Sequence, residues 1–221
     1  VTETYSLFKR TGKKWEVKPE MREKMEWFVL NANHFQFKRL HEMGFTPNEY
    51  HKSFTYYFEN GITDHLAYDA TVKMKNSHSD KYPVGGALAL TDGLLGTNDY
   101  HFNWLGFEGH ELDAVVALGG TTLVNNISVN FLQDAKSWVW IPHNVEFSGS
   151  TDGVNYQRLK SEKKKTDERD FEKIIETFSA TVENNQFQFI RITTQSFIQC
   201  PEWHLGAGGK AWIFADEIII K

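Results

Sequence analysis

Two hydrophobic periods divide this chain. Through residues 1–58, Met21, Met25, Phe28, Ala32 and Phe35 recur at the spacing of one helix face. Pro19 suits a first helical turn and Gly44 a stop, with Pro47 just beyond. Thr46-Pro47-Asn48-Glu49 has the form of a capping box that opens a second, short helix. The aromatic run Phe54–Phe58 reads equally as a helix end or a strand. These residues are expected to form a helical appendage or the end of an upstream domain.

Residues 59–221 change period. Thr71–Met74, Leu112–Leu118, Leu123–Leu132, Asn144–Ser148, Ile174–Val182, Phe187–Thr194 and Ala211–Ile220 are short and rich in β-branched and aromatic residues. In Asn144–Ser148 the alternation is clean, with Val145 and Phe147 on one face. Thr91-Asp92-Gly93, Gly119-Gly120, Thr151-Asp152-Gly153 and Glu183-Asn184-Asn185 are the expected turns between strands. Many short strands without a βαβ rhythm predict a mainly β fold, a β-sandwich. No internal repeat interrupts it.

Composition narrows the function classes. The 221 residues suffice for one domain plus an appendage. A formal charge of −5 argues against a nucleic-acid footprint. Lys163–Lys165 is diluted by Glu162, Asp167, Glu168 and Asp170, and reads as a solvated loop. No apolar run has the length of a membrane span. The single cysteine, Cys200, excludes an intrachain disulfide and reads as a small packed residue rather than a nucleophile. The chain opens at Val1 without an initiating Met, as expected of a mature form or a fragment of a longer protein. With 17 Phe, 8 Tyr and 7 Trp it holds more aromatic residues than a core needs in obvious places, several of them in loops.

The C-terminal stretch concentrates the chemistry. Trp203, His204, Lys210 and Trp212 surround the Gly-rich loop Gly206–Gly209, which leads into the apolar strand Ala211–Ile220. Exposed aromatics beside polar groups suit a sugar, whose apolar ring face stacks while its hydroxyls take hydrogen bonds. Asp216 and Glu217 stand inside the apolar strand, where acids are costly unless exposed, partnered or bound to a metal. Catalytic signals are absent. His34 and His41 share a helical face beside Glu42, but without HExxH or a third ligand they do not make a zinc site. No nucleophile elbow, P-loop or dinucleotide fingerprint occurs, and no glycosidase carboxylate pair can be picked out.

Six motifs occur together in one order: Ala89–Gly96 (ALTDGLLG), Trp104–Gly109 (WLGFEG), Val115–Gly120 (VVALGG), Val145–Tyr156 (VEFSGSTDGVNY), Phe189–Thr193 (FIRIT) and Ala215–Ile220 (ADEIII). The set resembles the discoidin or F5/8 type C family, the galactose-binding-like domain also found among family 32 carbohydrate-binding modules. More narrowly, TDGLLG, WLGFEG, FLQD and CPEWHLGAGGKAW resemble the C-terminal module of bacterial β-hexosaminidases (chitobiases). The resemblance implies a galactose-binding-like jelly roll over residues 59–221 and leaves the N-terminal helical segment without a counterpart.

The family implies two sites. A structural calcium would take carboxylates from Asp92 and Glu217, the hydroxyl and carbonyl of Thr97, and backbone oxygens near Ala89 and Asp216. Hard calcium wants six to eight such oxygens; the alternative reading has Asp92 only shaping its turn and Glu217 lying at a strand edge. The ligand site would lie on three loops at one end of the sandwich, contributing Tyr100, His101, Asp134, Trp138, Trp140, Trp203, His204 and Lys210. Trp104 reads as core and Trp212 as either. The implied protein is a carbohydrate-binding module for an N-acetylhexosamine- or galactose-containing glycan, non-catalytic by itself. It would be part of a secreted, periplasmic or surface bacterial glycan-processing protein with an upstream catalytic domain. Two alternatives stand beside it: a structural domain that packs on an upstream hydrolase and binds no sugar, and a portion of a glycosidase active unit.

Overall fold

The computed structural model describes residues 64–83, 85–101 and 103–221, together with two strands near the N-terminus, Phe8–Thr11 (β1) and Lys14–Val17 (β2). The chain divides into two compact units, Val1–Asp64 and His65–Lys221. In the first unit β1 and β2 pair antiparallel, with Phe8 opposite Val17. The helical expectation fails for these eight residues: Phe8, Thr11, Trp15 and Val17 favour extended backbone, and Gly12 sits between the two runs. The helical spacing at Met21–Phe35 and the capping box at Thr46 lie outside the described residues.

The second unit is mainly β, a jelly-roll-type sandwich. Its elements are β3 (Thr71–Met74), a 3-10 turn η1 (Gly86–Leu90), β4 (Leu105–Glu108), β5 (Asp113–Gln133), a second 3-10 turn η2 (Ala135–Ser137), β6 (Asn144–Ser150), β7 (Gln157–Lys163), β8 (Ile174–Gln195), β9 (Trp212–Ala215) and β10 (Ile219–Ile220). Two long antiparallel strands, β5 and β8, run through both layers. The first part of β5 pairs with β3 on one side and with Phe189–Thr193 of β8 on the other, and β8 continues to β6 and β7. The last part of β5 pairs with Ile174–Thr181 of β8 and with β10 and β9, and β9 continues to β4.

The turns expected at Gly119-Gly120 and Glu183–Asn185 are bends inside these strands, not breaks between them. Gly119 takes a left-handed backbone (φ 77°), and the ladder shifts register between Ala117 and Thr122 and between Val124 and Asn126. Asn125 and Asn126 both donate to the Lys221 carbonyl, so β5 carries one extra residue there, which sends every later side chain to the other face. Hence Ala114, Val116 and Val124 are buried at even positions, and Ile127, Val129 and Phe131 at odd ones. Both halves of β5 thereby face one core, where Phe131 meets Phe178 edge-on at 5.6 Å. Each such buried side chain contributes roughly 1.5–3 kcal/mol. β7, sequence QRLKSEK, carries no alternation and was not anticipated; it is an edge strand paired only with β6, and its charges blunt that edge.

Two smaller clusters underlie the loops at one end. Trp104, Leu132, Val139, Trp212 and Phe214 form one, and Ala135, Trp140, Cys200 and Ala211 the other. Trp104 is core, as expected, with its Nε1 donating to the Thr97 carbonyl at 2.8 Å. Among the described residues no helix is long and apolar enough to cross a membrane.

Candidate functional site

The chain turns tightly where β5 ends. Asp134 and Val139 exchange backbone hydrogen bonds (3.1 and 3.2 Å), and the Ser137 hydroxyl donates to the Asp134 carboxylate at 3.0 Å. Closing this turn puts Trp138 in the left-handed region (φ 67°). At a residue other than glycine this costs roughly 1–3 kcal/mol and persists only where the surroundings enforce it. Here the Trp138 amide donates to the Ala135 carbonyl, and its carbonyl accepts from the Trp212 amide at 2.8 Å. The result directs the indole outward, 40% exposed.

The exposed indole has a built floor. A Cβ on Gly206 would lie 2.6 Å from Trp138 Cε2, and one on Gly209 2.8 Å from its Cζ3. The Gly-rich loop is therefore not itself the ligand surface: its glycines make room for Trp138. Next to this turn, Lys173 lies 3.6 Å from Asp134 Oδ2 and 6.0 Å over the Tyr100 ring. Tyr100 packs on Phe214 (5.6 Å) and on His101 (4.2 Å), and His101 Nδ1 lies 2.6 Å from Asp99 Oδ1. Tyr100, His101 and Lys173 thus form one partly exposed group of rings and polar atoms, and Lys173 ties it through Asp134 to the turn that carries Trp138.

The remaining predicted ligand residues separate. Trp140 is 1% exposed, and its Nε1 donates to the Glu168 carbonyl at 3.1 Å. His204 is buried against Trp140 (5.1 Å), and its Nδ1 accepts from the Gly206 amide at 3.0 Å. Asp134 is buried beneath Lys173 and Ser137. These three are corrected from ligand contacts to supports, because none offers a face to solvent. Lys210 is exposed, its stem lying along Gly109. Trp203 is partly exposed under the Arg169 guanidinium, 5.2 Å from its ring, and beside Phe171.

Lys173, Arg169 and Phe171 carry no signal in the sequence because they lie within or just beyond the charged run Glu162–Asp170, which reads as a solvated loop. No local periodicity shows that Gln133 Nε2 pins that loop, donating to the carbonyls of Asp167 (2.7 Å) and Asp170 (3.0 Å). Cys200 is packed in the Trp140 cluster, and burial raises its thiol, in keeping with an inert side chain.

The acids of the last strand are elsewhere. Asp216 and Glu217 are fully buried and interrupt the expected strand between β9 and β10. The Gly93 amide donates to Glu217 Oε2 (2.9 Å), the Gly96 amide to Asp216 Oδ2 (2.6 Å) and the Leu94 amide to Asp92 Oδ1 (2.9 Å). His65 Nε2 lies 3.0 Å from Glu217 Oε1. Burial raises the Asp92 and Asp216 carboxyls well above their usual range and pushes Glu217 up to about 8, so the negative charge is under-compensated. Asp216 Oδ1 and Glu217 Oε1 are buried without an aligned hydrogen bond. Both suit a cation.

Other features limit the donor set. The Thr97 hydroxyl accepts from the Asp99 amide at 3.1 Å and is turned toward that residue, and the Thr97 carbonyl already accepts from Trp104. Among the described residues no three His, Cys, Asp or Glu side chains are placed to hold a metal by themselves, so backbone carbonyls would have to complete any cage. Ala89 is buried in η1, just before the Asp92 turn.

No family model matches the chain, and no curated protein matches it. Solved structures are similar at low identity. Chitosan-binding module 1 of a chitosanase/glucanase from Paenibacillus sp. IK-5 is 13% identical, covering 71% of this chain and 98% of that one, with a TM-score of 0.46. The module CpGH89CBM32-4 of Clostridium perfringens, in complex with GlcNAc-α-1,4-galactose, is 16% identical over 71% of this chain and 93% of that one, with a TM-score of 0.46. A GH29 fucosidase of Ruminococcus gnavus in complex with fucose is 14% identical over 75% of this chain and 28% of that one, with a TM-score of 0.49.

Proposed function

We propose that residues 65–221 form a carbohydrate-binding module whose ligand face is Trp138 with Tyr100, His101 and Lys173. The observation that carries this reading is the seat of Trp138. A strained backbone holds a large apolar ring in solvent on a floor of two glycines, an arrangement that core packing does not require. An indole with one free face suits the apolar face of a pyranose, and imidazole and ammonium groups beside it suit its hydroxyls. The motif resemblance names the sugar class as an N-acetylhexosamine- or galactose-containing glycan. It also supports reading the chain as part of a secreted or surface bacterial glycan-processing protein of the β-hexosaminidase kind. The module holds a catalytic partner near substrate and does no chemistry itself. Isolated modules of this kind offer few immobilised contacts, so affinity should be modest.

Probing a glycan array with the chain and with Trp138→Ala tests this reading. Binding that disappears in the variant, at an unchanged melting temperature, supports it. No binding to any glycan, together with tight docking to an adjoining hydrolase domain, would replace it with a packing role.

A structural calcium belongs to the same proposal. Asp92, Asp216 and Glu217 with neighbouring carbonyls such as that of Ala89 would hold it, and the Thr97 hydroxyl would have to turn from Asp99 to join them. Its charge would compensate three buried carboxyls. Chelator should lower the melting temperature and calcium restore it; identical melts with and without chelator would remove the ion from the reading.

A further inference from the structure

The loop that Gln133 pins presents a second exposed aromatic surface. Gln133 Nε2 takes the carbonyls of Asp167 and Asp170, and Trp140 Nε1 takes that of Glu168. With these carbonyls tied inward, Arg169 and Phe171 stand out from the pinned loop, Phe171 at 42% exposure. Phe171 stacks on buried His204 (6.1 Å, 18° between planes) and meets Trp203 edge-on at 6.3 Å. The Arg169 guanidinium lies over Trp203 at 5.2 Å and, among the described residues, makes no hydrogen bond or ion pair of its own. An exposed arginine usually disperses into water; this one is held over an indole, with its guanidinium donors left for a ligand.

We infer that Phe171, Trp203 and Arg169 form a second sugar subsite, for a neutral saccharide unit further along the glycan held at Trp138. This rests on the carbohydrate-binding reading above and extends it from one sugar to an oligosaccharide. The two surfaces share one loop. Gly206 and Gly209 carry Trp138, while Trp203 and His204 of the same loop carry Phe171, and Leu205, fully exposed at 106%, stands between them in the chain.

Charge selects a neutral ligand. Arg169 supplies donors, while its chain neighbour Asp170, whose Oδ1 already accepts from the Glu172 amide at 2.9 Å, and the exposed Glu202, the chain neighbour of Trp203, supply acceptors. Hydroxyls donate and accept, and so satisfy both; a carboxylate or sulfate ester would meet Arg169 favourably but the two acids unfavourably. Because the loop is already pinned, little ordering entropy opposes binding.

The test is a glycan array carrying neutral and acidic glycans, probed with the chain and with Trp138→Ala, Arg169→Ala and Phe171→Ala. The strongest hit is then titrated calorimetrically as its terminal monosaccharide and as the whole oligosaccharide. The parent should bind the oligosaccharide about tenfold tighter than the monosaccharide. Arg169→Ala and Phe171→Ala should erase that gain and leave monosaccharide affinity unchanged, and Trp138→Ala should weaken both ligands. Added salt should change neither affinity. Equal affinity for the two lengths in the parent, or an undiminished gain in both loop variants, overturns the second subsite alone and leaves the Trp138 site standing. Hits confined to acidic glycans, with salt-sensitive affinity, overturn the neutral assignment. No glycan signal from the parent refutes both sites together. Both loop side chains are exposed, so the variants should melt with the parent.

Discussion

Replacing Gly206 by Ala perturbs the Trp138 seat without touching the indole chemically. The new Cβ would lie 2.6 Å from Cε2 and 2.8 Å from both Cζ2 and Nε1. Carbon atoms rest ~3.5–4.0 Å apart, so the ring must retreat by about 1 Å. The backbone at Gly206 is not left-handed, so alanine adds no torsional strain there. Overpacking a closed site costs ~1–3 kcal/mol; here the ring can swing into solvent, which keeps the loss of stability near the lower end. The ring that moves is the proposed stacking platform, and displacing it should cost ~1 kcal/mol of binding, about fivefold in affinity.

Gly208→Ala is the matched control. Nothing lies within 4 Å of its Cβ, but its φ of +79° is left-handed. It should lower stability by ~1 kcal/mol and spare glycan binding. Calorimetric titration with the strongest array glycan, alongside urea melts, reads both quantities. Parental affinity in Gly206→Ala, with binding still lost in Trp138→Ala, would show that the indole acts without its glycine floor and refute the seat. Equal loss of binding in both glycine variants would attribute the effect to general loosening of the loop.

The buried acids predict a pH dependence. Burial pushes Glu217 from 4.5 up to about 8, so between those values the folded chain holds more protons than the unfolded one, and ion-free protein should lose stability as pH rises through that window and level off above it. At ~1.4 kcal/mol per pH unit the loss is at most on the order of 5 kcal/mol from Glu217; Asp92 and Asp216 add to it with the same sign, and His65 faces the same carboxylate. Urea midpoints that rise from pH 5 to pH 8 in chelator would contradict the environment assigned to these groups. Gln133→Leu leaves two loop carbonyls unpaired, at ~1–3 kcal/mol for a buried unsatisfied group. It should speed amide hydrogen exchange across residues 164–173 and erase the oligosaccharide gain; unchanged protection there would refute the pinning role. Gly149→Ala drives a Cβ to 2.6 Å from the buried Phe187 ring and should destabilise the sandwich by ~1–3 kcal/mol in urea melts while sparing the loops.

Local period exposed much of the fold. Thr71–Met74 is a strand with the bounds read from sequence, and Val145 and Phe147 face the core as their alternation required. What local period could not show was continuity. Gly119-Gly120 and Glu183–Asn185 look like turns, yet they pass as bends because each strand's ladder carries the other across. The same limit explains the tryptophans. Trp138 and Trp140 are two residues apart and should share a face, as strand period requires. The left-handed backbone at Trp138 breaks that rule, so one ring stands in solvent and the other is buried under Glu168. The Gly-rich loop was recognised as part of the ligand end, but its purpose depends on an indole some seventy residues earlier in the chain, which only tertiary packing reveals.

The acid cluster and the ligand face are consecutive in the chain, and this bears on what an ion there would do. Amides of Gly93 and Gly96 fasten the Asp92–Gly96 turn to Glu217 and Asp216. The Thr97 carbonyl then accepts from Trp104 Nε1, and within four residues the chain reaches Tyr100 and His101. A Cβ on Gly96 would overlap the Trp104 ring itself, so the turn has little slack. Anything that changes the charge on the acids must therefore be absorbed at the start of the loop that carries Tyr100. Trp138 sits apart from this path, fixed by η2 and the strand bridges. Calcium occupancy, on this geometry, should adjust the Tyr100 side of the ligand face while leaving the Trp138 platform in place. Stability would thus respond to the ion more steeply than glycan affinity.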